Sequence, residues 1–395
     1  MSSITGKHKA LKAVAVAAAL FAIGGAPAAW AQIKIGVTVS STGPQASLGI
    51  PEKNAITLLP RTIAGQSVEY IVLDDASDTN RAVTNTKKLI SEDHVDAIIG
   101  STTTPNTLAM IQPASEGQTP VVTLASSARL VEPMDAQRRW IFKTPHNDSF
   151  IAEQLVADAV SKGLKRIGFI GFNNALGDAF AVEIKKAAAA KGLTVVADER
   201  FAPGDSSATA QALKVLGAKP DAIVIGGSGT PAALPARALR ERGYKGVLYF
   251  NHGVSNNDFL RVCGADCNGA LVATGPVLVA SQLAANNPVK PIAEDLVSRY
   301  EKAYGAGSVS LFAGYTWDAG LYLQRAIPGA LKAGKPGTQA FRTALRDQLE
   351  SIRNLPTATG IITTTASDHV GMDQRSRVMV VIDNGRWRLV SAGGH

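Results

Sequence analysis

From residue 32 onward, short apolar runs alternate with longer stretches in which apolar residues recur every three or four positions. The first pattern predicts buried strands and the second predicts helices packed on them. Strands are expected at 33–39 (IKIGVTV), 68–73 (VEYIVL), 97–99 and 120–123, with helices at 49–63, 80–91 and 104–116. In 80–91, Val83, Leu89 and Ile90 stand among polar residues, as on a surface helix. Four strand–helix units within about a hundred residues imply a parallel sheet with right-handed crossovers.

The pattern then restarts. Helices are expected at 148–163, 176–191, 206–216 and 231–242, and strands at 166–170, 194–197, 222–225 and 247–250. The joint between the two halves lies near 143–148. After Thr274-Gly275-Pro276 come helical stretches at 291–304, 311–330 and 338–349. Near the C-terminus, 377–382 and 386–390 flank Asp383-Asn384-Gly385, which reads as a hairpin on an Asn-Gly turn. The fold class is therefore α/β, with two lobes and a helical and hairpin appendix.

Composition narrows the class. The chain has 395 residues, 46% hydrophobic and 18% charged, which excludes a disordered protein and suits two domains. The net charge of +8 includes Lys7, Lys9 and Lys12, which precede an apolar run at 13–23 and Ala29-Trp30-Ala31. A basic head, a short apolar core and an Ala-x-Ala end predict a signal peptide over residues 1–31, cleaved before Gln32. The alternative, a membrane anchor, meets a run well short of the ~20 residues that span a bilayer. No later segment is apolar enough to span a membrane, so the mature chain is expected to be soluble and outside the cytoplasm. The remaining charge has no basic tail, so neither nucleic acid nor an anionic membrane is an expected partner. In an oxidising compartment, Cys263 and Cys267 are expected to form a local disulfide, and no further ligands nearby suggest a metal.

Reactive constellations are missing. The chain has no Gly-x-x-x-x-Gly-Lys-Ser/Thr and no Gly-x-Ser-x-Gly. Gly226-Gly227-Ser228-Gly229 has Ala232 where a dinucleotide loop needs its third glycine, so a tight strand–helix turn is the better reading. No two of His8, His94, His146, His252, His369 and His395 stand four apart on a helix. No cofactor, no metal and no enzymatic activity are expected, with a secreted α/β enzyme acting on a small acid as the alternative.

Ligands of open α/β sheets bind beyond the carboxyl ends of the strands. The loop after the third strand is Gly100-Ser101-Thr102-Thr103-Thr104-Pro105-Asn106, with Thr104 as helix cap and Pro105 at the first helical position. Its hydroxyls and backbone N–H groups suit a carboxylate at the positive end of a helix dipole. The loop after the fourth strand, Thr123-Leu124-Ala125-Ser126-Ser127-Ala128, is also hydroxyl-rich. A self-capped helix and ordinary turn chemistry are the alternatives for the two loops.

The ordered set IKIGVTVSSTGPQASLG, LDDASDTNRAVTNTKKLI, IIGSTTTPNTLAM, TPVVTLASSA and FIGFNNALGDAF resembles the leucine/isoleucine/valine-binding branch of type I periplasmic binding proteins, receptors of ABC importers. The resemblance implies two doubly wound, Rossmann-like lobes joined by three hinges, near Thr144-Pro145, Gly275-Pro276 and residues 373–375. The N-terminal lobe would be 32–145 plus 276–373, and the C-terminal lobe 146–275 plus 374–395. It places carboxylate contacts at Thr104, with Thr103 beside it, and at Ala125, Ser126 and Ser127. Aromatic positions of the family fall on Leu48, on Leu176, near Ser228, and on Trp317 near Tyr315. The acid that pairs with a ligand ammonium falls on His252. A disulfide known in the family would join Ala76 and Thr103 here, so it is absent.

A buried ammonium without an anion is costly. The implied ligand is thus a carboxylate with no α-amino group, an aromatic acid of benzoate or phenylpropenoate type. Phe172, Leu176, Tyr315 and Trp317 would receive its body, and His252 a ring hydroxyl or keto oxygen. His252 as a plain hinge-side histidine, a branched-chain amino acid as ligand, and a sensory ectodomain remain alternatives. The expected partners are the ligand and a membrane permease, and the expected state is a monomer.

Overall fold

The computed structural model describes residues 32–392, so the expected signal peptide lies outside the described residues. The first sheet has the order β2-β3-β1-β4-β5-β6. Its strands are β1 (Ile33–Val39), β2 (Thr62–Ile63), β3 (Gln66–Asp74), β4 (Ala97–Gly100), β5 (Val121–Thr123) and β6 (Ile141–Lys143). β1 lies at the centre, parallel to β3 with Ile33 opposite Val68 and to β4 with Ile35 opposite Ala97. The helix expected over 49–63 runs instead over Ala46–Ile56. Pro60 stops any continuation, and Ala64 (φ +49°) and Gly65 (φ +78°) turn the short antiparallel pair β2–β3. β6, only three residues long, was not among the expected strands.

The second sheet has the order β15-β14-β11-β10-β9-β7-β8. It holds β7 (Arg166–Phe172), β8 (Thr194–Phe201), β9 (Ala222–Gly226), β10 (Val247–Phe250) and β11 (Leu271–Thr274), all parallel. A minor pair, β12 (Leu355–Pro356) and β13 (Ile361–Ile362), precedes β14 (Val378–Asp383) and β15 (Arg386–Ala392). The last two form the expected hairpin, with Asn384 (φ +48°) and Gly385 (φ +72°) at its turn. β14 pairs antiparallel with β11, which was also not anticipated as a strand.

Alternate residues of each central strand go to opposite faces. Ile223, Ile225, Leu248 and Phe250 join one apolar core, while Ala222, Val224 and Tyr249 join another. Burial on both faces is why these strands read as continuous apolar runs. The late helices Lys290–Tyr304, Leu311–Ala330 and Gln339–Leu349 return to the first lobe, where Leu296, Tyr322 and Phe341 share a core with Ile35 and Val37.

The chain passes between the lobes three times: after Lys143, after Thr274, and between Met372 of the first core and Val378 of the second. The middle passage is broad. Val277 and Ala280 pack in the first core, whereas Val279 and Leu283 pack in the second. No helix among the described residues is long and apolar enough to cross a membrane.

Candidate functional site

The carboxyl ends of the two parallel sheets face one another across a cavity of about 300 Å³. From the first lobe it receives Gln45 and Leu48 after β1, Thr102–Asn106 after β4, and Leu124 and Ser126 after β5. From the second it receives Phe172, Asn174 and Leu176 around the end of β7, Ser228 after β9, and Asn251 and His252 after β10. Phe312 and Tyr315 of the helix Leu311–Ala330 complete it. The volume suits a small organic molecule.

The loop after β4 is braced from behind. Thr102 Oγ1 accepts from Ser40 N at 2.8 Å and donates to Glu52 at 2.5 Å. The hydroxyls of Ser40 and Ser101 each donate to Asp75 at 2.6 Å. Burial holds the Glu52 carboxyl well above its usual range, and the Thr102 hydroxyl opposes that shift. The hydroxyls of Ser101 and Thr102 are thereby turned onto these acids. The helix begins at Thr104, and the cap is Thr103, not the expected Thr104: Thr103 Oγ1 accepts from Asn106 N at 3.4 Å. Asn106 Oδ1 accepts from Thr79, while its Nδ2 is buried without a partner.

Of the twelve residues singled out from the sequence, Leu48, Thr103, Thr104, Ser126, Phe172, Leu176, Ser228, His252 and Tyr315 line the cavity. Three do not. Ala125 is packed in the first core, its N–H donating to Thr123 Oγ1 at 3.2 Å. Ser127 is buried with its hydroxyl capping the turn Ala128–Leu130 through Arg129 N. Trp317 stands two residues beyond Tyr315, which on a helix is roughly 200° around the axis, so one ring faces the cavity and the other does not. Trp317 packs in the first core beneath the Arg299 guanidinium, 5.8 Å from the ring centroid.

Among the lining residues none is Asp, Glu, Lys or Arg. Behind the lining residue Ser126 lies a cation, Lys143, fully buried at the end of β6. Its ammonium donates to the carbonyls of Ser126 and His146 and to Asn147 Oδ1. Burial lowers its pKa, and Asp148 opposes that shift. His252 is buried, its Nδ1 has no partner, and its ring stands 6.1 Å from that of His146 and 6.3 Å from that of Tyr315. Desolvation, with His146 and Lys143 adding to it, holds His252 well below the usual histidine range, so it is neutral.

Gln45, Asn106, Asn174, Asn251 and Phe312 were not singled out from the sequence. Asn106 sat inside the loop 100–106 already read as ligand-facing, whereas Gln45 stood only within the stretch IKIGVTVSSTGPQASLG that carried the family resemblance. Cys263 and Cys267 are joined in a disulfide, and neither is among the residues that line the cavity. Among the described residues, no group of three or more acidic, histidine or cysteine side chains could hold a metal.

A model of the periplasmic binding protein family matches residues 32–386. The Leu/Ile/Val-binding protein BraC3 of Rhizobium johnstonii is 27% identical over 367 residues, 90% of this chain and 92% of that protein. An extracellular ligand-binding receptor from Rhodopseudomonas palustris HaA2 is 40% identical, with a TM-score of 0.88 over 91% of this chain and 100% of that one. A solute-binding protein of an ABC transporter from R. palustris, solved with benzoate, is 20% identical with a TM-score of 0.79 over 91% and 96% of the two chains, a likeness of fold. Two α/β lobes, three passages between them and a cavity at their facing strand ends agree with that match: the chain belongs to the periplasmic binding protein family, the solute-binding components of import systems, and resembles its Leu/Ile/Val-binding members.

Proposed function

We propose that the protein is the extracytoplasmic receptor of an ABC importer for a small carboxylate without an α-amino group, an aromatic acid of benzoate or phenylpropenoate type. The lobes, 32–145 plus 276–373 and 146–275 plus 374–395, would close on the ligand and present it to the permease. One observation carries this reading: no lining residue is an acid, yet two of them, Gln45 and Asn106, carry buried amide donors without a partner. Unmet donors call for an acceptor-rich group. A zwitterion would place its ammonium among neutral groups, with a neutral His252 where an anion is needed. Phe172, Leu176, Phe312 and Tyr315 supply the apolar and aromatic walls for a flat body.

A solved protein of the same fold holds benzoate, whereas the curated relatives are named for leucine, isoleucine and valine. Titration calorimetry with benzoate, 4-hydroxybenzoate and 3-phenylpropenoate, set against leucine and isoleucine, separates the two. Binding of at least one aromatic acid with no response to leucine is expected; tight leucine binding with silence from every acid overturns the ligand class. In this reading the protein acts by binding and closure without bond chemistry, as a monomer, and is exported by a signal peptide over residues 1–31. Fractionation of cells expressing the full chain would then find it in the periplasm, shortened at Gln32.

A further inference from the structure

We propose that Gln45 couples occupancy of the cavity to closure of the two lobes, one end of its amide holding the ligand and the other holding Ser228 of the facing lobe. For the chemistry of the ligand, this rests on the reading above.

Gln45 occupies the cap position of the helix Ala46–Ile56 but makes no side-chain cap bond, so its amide is not engaged by its own helix. The residue is only 5% exposed. Its Oε1 accepts from the Ser228 hydroxyl at 2.6 Å, a buried bond between the loop after β1 in one lobe and the loop after β9 in the other. Gln45 is among the residues that line the cavity, and its Nε2 is buried with no partner. An amide is planar. Fixing the direction of Nε2 by a ligand acceptor therefore fixes where Oε1 points, and fixing Oε1 on Ser228 pre-aims Nε2. Coupling of this kind is reciprocal: a ligand that favours the closed pair is itself held more tightly by it.

The meeting of the two loops is built into the backbone. Gly229, next to Ser228, has φ +63°, and its N–H donates to Gly253 O at 2.9 Å. A Cβ on Gly229 would lie 2.8 Å from Ser47 Oγ and 3.0 Å from Leu48 Cδ1, across the cleft. Only a glycine allows the second lobe to come this close to the first, and that approach is what brings Ser228 to Gln45.

Two variants separate the ends of the amide. Ser228→Ala removes the cross-cleft partner and leaves Nε2 in place; Gln45→Met keeps the length of the side chain and removes both ends. With benzoate and 3-phenylpropenoate as probes, Ser228→Ala is expected to weaken binding about tenfold through faster dissociation, the loss of one hydrogen bond, and Gln45→Met, which loses the bond to the probe as well, to weaken it further. The double variant is expected to be no weaker than Gln45→Met alone, because the two residues act through one bond. Small-angle scattering of the probe-saturated proteins should give a larger radius of gyration for both variants. Additive losses, or a Ser228→Ala protein with the wild-type dissociation rate and radius, overturn the proposal. If neither acid binds the wild type, the ligand reading has failed, and the latch is judged on the protein as purified. There Ser228→Ala must still shift the scattering toward the open form, and superimposable curves overturn it.

Discussion

The imidazole of His146 is the partner of the Tyr315 hydroxyl, its Nδ1 lying 3.3 Å from that oxygen, while its Nε2 lies 2.5 Å from the carbonyl of Ser376. A carbonyl only accepts, so Nε2 carries the proton and Nδ1 accepts from Tyr315. The tyrosine lines the cavity with its hydroxyl hydrogen turned to His146. His146 stands in the first passage between the lobes and Ser376 in the last, so one ring ties two passages to the cavity wall.

Replacing Tyr315 with Phe removes the donor and leaves His146 Nδ1 buried without a partner. The expected loss is about 1–3 kcal/mol of unfolding free energy, read from urea denaturation, with the fold retained. An unchanged midpoint would mean that the bond contributes nothing.

The same ring sets a pH dependence. Burial pushes the His146 pKa down to about 4 from an ordinary value near 6.5, so the folded protein resists a proton that the unfolded chain accepts. The corresponding stability is fully present above pH 6.5 and is lost as pH falls toward 4, about 3 kcal/mol in all. His252, displaced in the same direction, adds to the loss. Urea midpoints measured between pH 7 and 4 should decline, and His146→Asn should decline less steeply because its amide takes up no proton. Equal slopes for the two proteins would contradict the neutral buried ring.

Lys143 holds the floor of the cavity to the first passage through Ser126, His146 and Asn147, and it faces a buried Asp148 whose carboxylate oxygens have no hydrogen-bond partner. Lys143→Met leaves these acceptors unmet and the acid uncompensated. Each buried acceptor left without its partner costs about 1–3 kcal/mol. A fall in thermal midpoint well beyond that of an exposed substitution such as Lys191→Met is the expected outcome; equal midpoints would be the contrary result.

Gly177, in the first turn of the helix Ala175–Ala190, lies directly on the end of β7. A Cβ there would fall 1.9 Å from the Phe172 carbonyl oxygen. Gly177→Ala must push the helix off the strand, at a cost of about 1–3 kcal/mol or more. Leu176 and Asn174 move with it, so affinity for the ligand should fall together with stability. A variant that keeps both would show that the helix can shift without disturbing the wall.

Much of this molecule can be read before it is folded. Short apolar runs such as 222–225 and 247–250 locate the central strands because both faces of the second sheet are buried. The turn at Asn384-Gly385 is legible because so few residue types adopt positive φ without cost. What escaped is equally specific. β6 and β11 are three- and four-residue strands with no periodicity to announce them. The loops after β4 and β5 were marked by their hydroxyls, yet Ser101 and Thr102 turn theirs onto Asp75 and Glu52, and Ser127 turns its hydroxyl onto its own turn.

The order of residues alone determined two α/β lobes and the loops that would meet a ligand, because strand burial, helix periodicity and turn chemistry are properties of neighbours along the chain. Only the tertiary structure decided which atoms of those loops face the cavity. Tyr315 lines it while Trp317, two residues on, lies in the core, and Gln45 acquires a role from Ser228, 183 positions away. A side chain's direction and its partner depend on what packs against it from distant segments, and no local pattern encodes that.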